Sequence, residues 1–312
     1  MTAQAEQTAD SSTTFDVAVT GATGLVGGAL CSSLSGDGRS TLRLVRRPSG
    51  GEQPELVWDP NSGISDQDCL EGVSAVVHLA GENIAAGRWT AAKKARIRDS
   101  RVEGTQTLAH ALAGLKHKPE VLVCASAIGY YGDRGDETLD ESSAPGEGFL
   151  PDVCKEWEDS TAPAAEAGIR VVNLRIGVVI SKDGGALASM LLPFKMGAGG
   201  RVGSGKQYWS WIHLQDVVGV IRHAIDNENL NGPVNTVSPE PATNAEFTKV
   251  LGQILRRPTI IPMPAPLARI VLGEMANDLL LASARVLPRK LEQSGYQYHY
   301  PDLQSALAAE LA

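Results

Sequence analysis

Positive charge is scarce in this sequence: 28 Lys and Arg stand against 36 Asp and Glu, a net charge of −8 over 312 residues. That balance argues against a nucleic-acid binder, which needs a cationic footprint, although net charge leaves room for a local patch; the same deficit argues against polybasic attachment to anionic lipid. Paired cysteines are missing as well. Cys31, Cys69, Cys124 and Cys154 stand far apart with no C-x-x-C spacing, so neither a disulfide framework nor a metal site is expected. Cys124, inside the strand-like VLVCAS, reads as an ordinary buried thiol. No run of 18 uncharged apolar residues occurs, so no membrane insertion is expected. The most apolar late stretch, Leu267 to Leu287, is broken by Arg269, Glu274, Asp278 and Arg285 and reads as packed helix. Residues 1–14, MTAQAEQTADSSTT, lack the basic start and apolar centre of a signal peptide and are expected to form a disordered leader. The expected compartment is the cytoplasm, with an organelle stroma the alternative.

Short apolar runs alternate with longer helical patterns. FDVAVT (15–20), TLRLV (41–45), SAVVHL (74–79), residues 121–125 and IRVVNL (169–174) read as strands. Residues 25–34, 89–115 and about 149–167 carry helical spacing. This rhythm predicts an α/β fold, a Rossmann-like doubly wound parallel sheet with helices on both faces, over residues 15–240. Beyond residue 176 the rhythm changes. Helices are expected at 216–227 and 244–255, the latter capped by Asn244, with GPVNTVS a further strand and another helix after PMPAPLARIV. Residues 241–312 are expected to form a smaller, mainly helical lobe beside the sheet's carboxyl edge, where open α/β folds bind ligands.

The strongest local signal is VAVTGATGLVGGAL. It sets Gly21, Gly24 and Gly27 at a strand-to-helix turn, with Thr23, Leu25 and Val26 between and beside them. Small residues there permit a tight turn, close approach of backbone amides to a pyrophosphate, and tight helix packing. The helix N-terminus then faces the negative charge. An NAD-selective site places an acid at the end of the second strand, whereas this chain has Arg46 and Arg47. Guanidinium groups suit a 2′-phosphate, so NADP(H) is favoured over NAD(H).

With these residues the chain resembles the extended short-chain dehydrogenase/reductase superfamily. More closely it is similar to the atypical "epimerase family protein" subgroup, whose members carry a C-terminal domain of unknown function; some relatives are called cell-division-inhibitor-like. The blocks that carry the likeness are TGATGLVG, HLAGENIAAGRW (78–89), IRDSRVEGTQTL (97–108), ASAIGYYG (125–132), CKEWE (154–158), LRIGVVIS (174–181), GSGKQYWSWIHLQDV (203–217) and the region 273–301. The resemblance implies a catalytic Ser at the end of the fifth strand, at Ser126, and a ribose-holding Lys on the next helix, at Lys155. The tyrosine expected four residues before that lysine is replaced by Pro151. Tyr130 and Tyr131 are the candidate substitutes, with packed aromatics as the equal alternative reading. Asp152, Cys154 and Glu156 are lesser alternatives.

The loop after His78, at Leu79, Ala80, Gly81 and Glu82, is implied to line the cofactor. Arg98 and Arg101 read as surface or phosphate-facing groups. Gln207, Trp209 and His213 are the expected substrate-side residues, with a packed aromatic plug as the competing reading. Arg175 either pairs with Asp216 or binds an anionic substrate. The leading function is therefore an NADP(H)-dependent oxidoreductase or isomerase acting on an unidentified small molecule. The alternatives are a non-catalytic NADP(H) sensor or scaffold, and a protein-partner or homodimer role.

Overall fold

The computed structural model describes residues 14–60 and 62–312; the expected leader, apart from Thr14, lies outside them. The chain begins with β1 (Val17–Thr20), α1 (Leu25–Gly36), β2 (Thr41–Val45), β3 (Glu55–Asp59), β4 (Gly63–Ile64) and β5 (Ala75–His78). It continues through α2 (Ala91–Ala113), β6 (Val121–Ala127), β7 (Thr138–Leu139), α3 (Phe149–Asp159), α4 (Ala162–Glu166) and β8 (Arg170–Ile176). Then come β9 (Val178–Ile180), α5 (Gly185–Lys195), β10 (Tyr208–Trp209), β11 (Trp211–His213), α6 (Leu214–Asp226) and β12 (Gly232–Thr236). The last elements are β13 (Ala242–Thr243), α7 (Asn244–Leu255), α8 (Ala265–Leu272), β14 (Arg285–Val286), α9 (Arg289–Gln293) and α10 (Leu303–Leu311).

Eight strands form one sheet in the order β12-β8-β6-β5-β1-β2-β3-β4. Every pairing in it is parallel except that of β3 with β4. The chain order reverses beside β1, which puts the switch point at the carboxyl end of that strand. Alternate residues face opposite layers. Val17, Val19, Val77, Val123 and Val172 pack towards α1 and α6, while Ala18, Leu42, Leu44, Val76 and Leu122 pack towards α2 and α4. Because both faces are covered, the strands are continuous apolar runs, as a buried parallel sheet requires. This is a Rossmann-like sheet with a smaller, mainly helical C-terminal region.

Several boundaries differ from the sequence reading for local reasons. The strand ELVWD (β3) was not expected, because its charged ends mask the apolar centre. The single helix expected over 149–167 breaks at Ser160–Thr161, whose hydroxyls donate back to the Trp157 and Glu158 carbonyls. α7 is capped by Thr243 rather than Asn244: the Thr243 and Glu246 side chains form a reciprocal capping box. Asn244 instead accepts the Val202 N–H at 2.7 Å.

The C-terminal region is woven into the rest. β13 pairs with β10, and β14 with β7. Trp209, Trp211, Phe247, Leu251, Leu303 and Leu307 share one apolar cluster. Asp216, in the first turn of α6, is fully buried. Its carboxylate accepts the His299 and Tyr300 amides at 2.8 and 3.0 Å and the Tyr296 hydroxyl at 3.1 Å. It therefore anchors the C-terminal segment and does not meet Arg175. Among the described residues no helix is long and apolar enough to cross a membrane.

Replacing Asp216 with Ala removes the acceptor for two amides and a phenol at once. Asp216→Ala should lower the urea-unfolding free energy by about 3 kcal/mol; stability equal to the parent protein would show that the anchor carries no weight.

Candidate functional site

β1 ends in Thr20, and the chain turns at Gly21 with φ +68°, in the left-handed region. A Cβ on Gly21 would lie 2.8 Å from the Leu79 carbonyl carbon, and one on Gly27 only 2.2 Å from the Gly21 oxygen. Only hydrogen fits at either place. The Gly24 N–H donates to Gly21 O at 2.9 Å, and Gly24 is the N-cap of α1. No acid occupies the first turn of α1, so its positive end is open to an anion. Thr23 and Gly24 are exposed there, and Leu25 and Val26 are half-buried.

The loop facing this turn is held by one hydroxyl. Thr20 Oγ1 accepts the Leu79 and Ala80 amides at 3.1 and 3.3 Å. Its own proton then points to His78 Nδ1, 2.7 Å away. His78 is fully buried, perpendicular to the Trp58 ring at 5.5 Å, and burial drives its pKa down to about 4. It is a neutral strut. Gly81 is exposed, whereas the Glu82 carboxylate turns away to Lys93 at 2.6 Å, a contact that holds its pKa below the usual range. Arg101 is not a surface or phosphate-facing group. Its guanidinium donates to the Glu82 and Ile97 carbonyls at 3.1 Å and lies over the Trp157 ring, bracing the loop from behind. Arg98 is exposed and pairs with Glu156 at 2.6 Å.

Arg46 and Arg47 are exposed just beyond β2. The turn that follows them is tied down by Glu55, which accepts from Ser49 N–H at 2.6 Å and Ser49 Oγ at 2.8 Å. Sequence reasoning missed Arg43. Its guanidinium reaches up from mid-strand to 3.5 Å from Ala22 O, under the glycine turn, and 3.8 Å from Glu55, while its buried Nε has no partner among the described residues. The signal was a charge on the α1-facing side of an apolar strand.

At the carboxyl end of β6, Ser126 Oγ donates to Glu158 Oε1 at 2.7 Å. Arg175 grips the same carboxylate with two hydrogen bonds of 2.8 Å. Its third nitrogen donates to the Tyr131 hydroxyl at 2.9 Å, and that hydroxyl lies 2.7 Å from Asn235 Oδ1. Tyr131 is wholly buried, and burial pushes its phenol up to about 12. The Arg175 guanidinium lies over the Tyr130 ring, 3.4 Å from Cζ to the ring centre, and the Tyr130 hydroxyl has no partner among the described residues. Arg175 thus pairs with Glu158, neither with Asp216 nor into open solvent.

Lys155 is not brought to this group: it is exposed on the outer face of α3 and makes no ion pair among the described residues. The face of α3 turned towards the β6 loop carries Leu150 and Cys154. A Cβ on Gly129 would lie 3.4 Å from Leu150 Cβ and 3.7 Å from Cys154 Sγ. Burial pushes the Cys154 thiol up to about 12, leaving it unreactive. Glu158, one turn beyond Cys154, completes the stripe; the i, i+4, i+8 spacing from Leu150 was the signal for it. Pro151 packs towards Gly132.

The three expected substrate-side residues serve the C-terminal region instead. Gln207 is buried and donates to the Val202 and Leu280 carbonyls at 2.9 and 3.0 Å. Trp209 donates to Leu280 O and packs on Phe247. His213 caps α6 by accepting the Gln215 N–H, stacks on Tyr300, and places Nε2 3.2 Å from Glu310. Their polar atoms complete backbone that the aromatic plug would otherwise strand.

Two family models match the chain: the NAD dependent epimerase/dehydratase family over residues 17–237, and a domain of unknown function, DUF1731, over residues 263–310. An epimerase family protein of Mycobacterium tuberculosis is 44% identical over 291 residues, covering 93% of this chain and 96% of its own. The human epimerase family protein SDR39U1, solved with NADPH, superposes with a TM-score of 0.87 at 35% identity, over 95% of this chain and 98% of that one. A Corynebacterium glutamicum structure described as a nucleoside-diphosphate sugar epimerase gives 0.79 at 37% identity, over 96% of this chain and 58% of that one.

The buried neutral His78 makes a pH prediction. Its folded pKa of about 4 lies below the ordinary value of 6.5, so the unfolded chain binds the proton more readily. The resulting stability is fully present above pH 6.5 and lost as pH falls towards 4, by about 3 kcal/mol in all. Urea unfolding between pH 7 and 4.5 should show that decline, and His78→Gln should flatten it. Equal slopes in parent and variant would dismiss the assignment.

Proposed function

Because this chain belongs to the NAD-dependent epimerase/dehydratase family, we propose that it binds NADP(H) at the glycine turn and acts as an oxidoreductase or isomerase on a small molecule. The observation that carries this reading is the cradle at Gly21 and Gly27, where a side chain would strike backbone, opening onto a helix N-terminus free of acid. The human relative solved with NADPH supports the choice of cofactor. Backbone at Thr23, Gly24, Leu25 and Val26 would hold the pyrophosphate. Arg46 and Arg47 would take the 2′-phosphate, with Arg43 beneath the turn. Leu79, Ala80 and Gly81 would wall the nicotinamide side. When bound, NADP(H) supplies or accepts a hydride.

Toward the substrate, the reading assigns Ser126 and Tyr130. Tyr130 is favoured over Tyr131 as the proton-exchanging phenol, because the Tyr131 hydroxyl already bridges Arg175 and Asn235. Lys155 has no place in it, given its exposure. A second reading, a non-catalytic NADP(H) sensor, is favoured by one observation: the inward face of α3 offers Leu150 and Cys154 where a tyrosine and a lysine would do chemistry.

Fluorescence titration should give NADPH an affinity at least about tenfold above NADH, a difference of about 1.4 kcal/mol, and Arg46→Ala should remove most of it. Equal affinities in the parent protein would reject the cofactor assignment. With stereospecifically deuterated NADPH and a broad metabolite extract, label should move to a product detected by mass spectrometry. Tyr130→Phe should cut that transfer about a hundredfold and leave NADPH affinity unchanged. No transfer from a saturated protein would favour the sensor.

A further inference from the structure

Of the nine large apolar side chains exposed among the described residues, eight lie in two segments, 192–196 and 260–271. Ile260 is 81% exposed, Ile270 70% and Met196 68%. The strap at 260–263 runs beside the chain that follows α5: Gly200 bridges Ile260, Val202 bridges Met263, and the Met263 N–H donates to Arg201 O at 2.8 Å. α8 follows directly. Its only buried residue is Ala268, while Leu267, Ile270 and Val271, at i, i+3 and i+4, stand outward. An apolar stripe at that spacing normally faces a core. Here it faces away from one.

The charge on the same two stretches is one-sided. No Asp or Glu occurs between residues 184 and 215, or between 247 and 273. Lys195, Arg201, Lys206, Lys249, Arg256, Arg257 and Arg269 do occur there, and all seven are exposed. None has an ion pair with a carboxylate among the described residues. In a chain of net charge −8 these two stretches, joined by the bridges at 200–202 and 260–263, are segregated in charge. Arg201 and Lys249, with Thr248 and Thr259, line a hollow there whose remaining wall includes Ile260 and Pro262. Cations and hydroxyls beside exposed aliphatic chains are complementary to an anionic headgroup beside its acyl chains.

We propose that this face docks on an anionic lipid bilayer, with Ile260, Ile270 and Val271 entering the headgroup–acyl boundary and the seven cations facing lipid phosphates. A second copy of the chain fits less well, since two-fold pairing would set unpaired cations against their own kind. The deficit of positive charge over the whole chain does not oppose the proposal, because the field felt at a surface is local within a Debye length.

The test is co-sedimentation of the full chain with vesicles of phosphatidylcholine alone and of equal parts phosphatidylcholine and phosphatidylglycerol. The chain should sediment with the anionic vesicles, not with the neutral ones, and less so as salt rises. The exposed double variants I270S/V271S and R201E/K249E should each weaken sedimentation about tenfold, while melting with the parent's cooperativity. No sedimentation on anionic vesicles, equal sedimentation on neutral ones, or indifference to both double variants would overturn the proposal. So would a dimer that I270S/V271S dissolves, which would give the face to a second copy. Retention on polyglutamate without vesicle binding would give it to an acidic protein, and overturn it equally.

Discussion

Thr20 carries one hydroxyl and uses all of it. Two lone pairs take the amides of Leu79 and Ala80, and the single proton goes to His78. This fixes where the loop after β5 leaves the sheet, and that position is what presses the Leu79 carbonyl to within 2.8 Å of a Cβ that Gly21 does not have. The turn, the start of α1 and the loop opposite are therefore one constraint. A valine at position 20 would keep the strand and lose the loop; an alanine at position 21 would keep the hydrogen bonds and lose the turn. His78 must stay neutral for the arrangement to hold, because an imidazolium has no acceptor left for Nδ1 to donate to and lies wholly buried from solvent.

A second constraint sits at the ends of β6 and β8. Ser126 and Arg175 are register partners on those adjacent strands, and Glu158 reaches both from α3. A buried guanidinium without its carboxylate would be strongly destabilising, so the pair has to come as a set. The Ser126 hydroxyl gives its proton to Glu158 in this structure, which leaves its oxygen to accept from any other partner. The neighbouring inward positions of α3 carry an aliphatic chain, Leu150, and a buried thiol, Cys154.

The sheet was legible in the sequence because a parallel strand covered on both faces has to be an unbroken apolar run, and five of them stood out. β3 was not, since two of its five residues are acidic. The glycine turn was legible for the same physical reason that it exists: steric exclusion is local and leaves its mark on consecutive residues. Glu158 and Arg43 were only half legible: spacing and alternation mark the face each side chain takes, but their partners lie on other elements, and nothing local pairs a helix carboxylate with a strand arginine 17 residues on. The exposure of Lys155 has a similar origin. Spacing within a helix fixes which residues share a face, but the rotation of α3 is set by how Leu150 and Cys154 meet Gly129. Gln207, Trp209 and His213 were read as pocket because aromatic and polar residues together suit a ligand. They suit the packing of the C-terminal region just as well, where Gln207 and Trp209 complete carbonyls and His213 Nδ1 an amide.

The two neighbouring phenols show how far the same reasoning separates residues that a sequence cannot. Asn235 donates its Nδ2 to Leu287 O at 3.0 Å, which turns its Oδ1 towards Tyr131. An amide oxygen accepts only, as does the Asp140 carbonyl 3.0 Å away, so Tyr131 has to supply the proton to this pair of acceptors. A phenolate there would set two oxygens against each other across 2.7 Å, and burial independently holds the Tyr131 phenol protonated. Arg175, on the other side, can only donate. The Tyr131 proton is held by a chain of fixed polarity that runs from Leu287 through Asn235 to Arg175 and Glu158. Tyr130 touches the same guanidinium through its ring face alone, so its hydroxyl belongs to no such chain. A proton that must come and go at the β6 loop has one phenol there whose departure strands no neighbour.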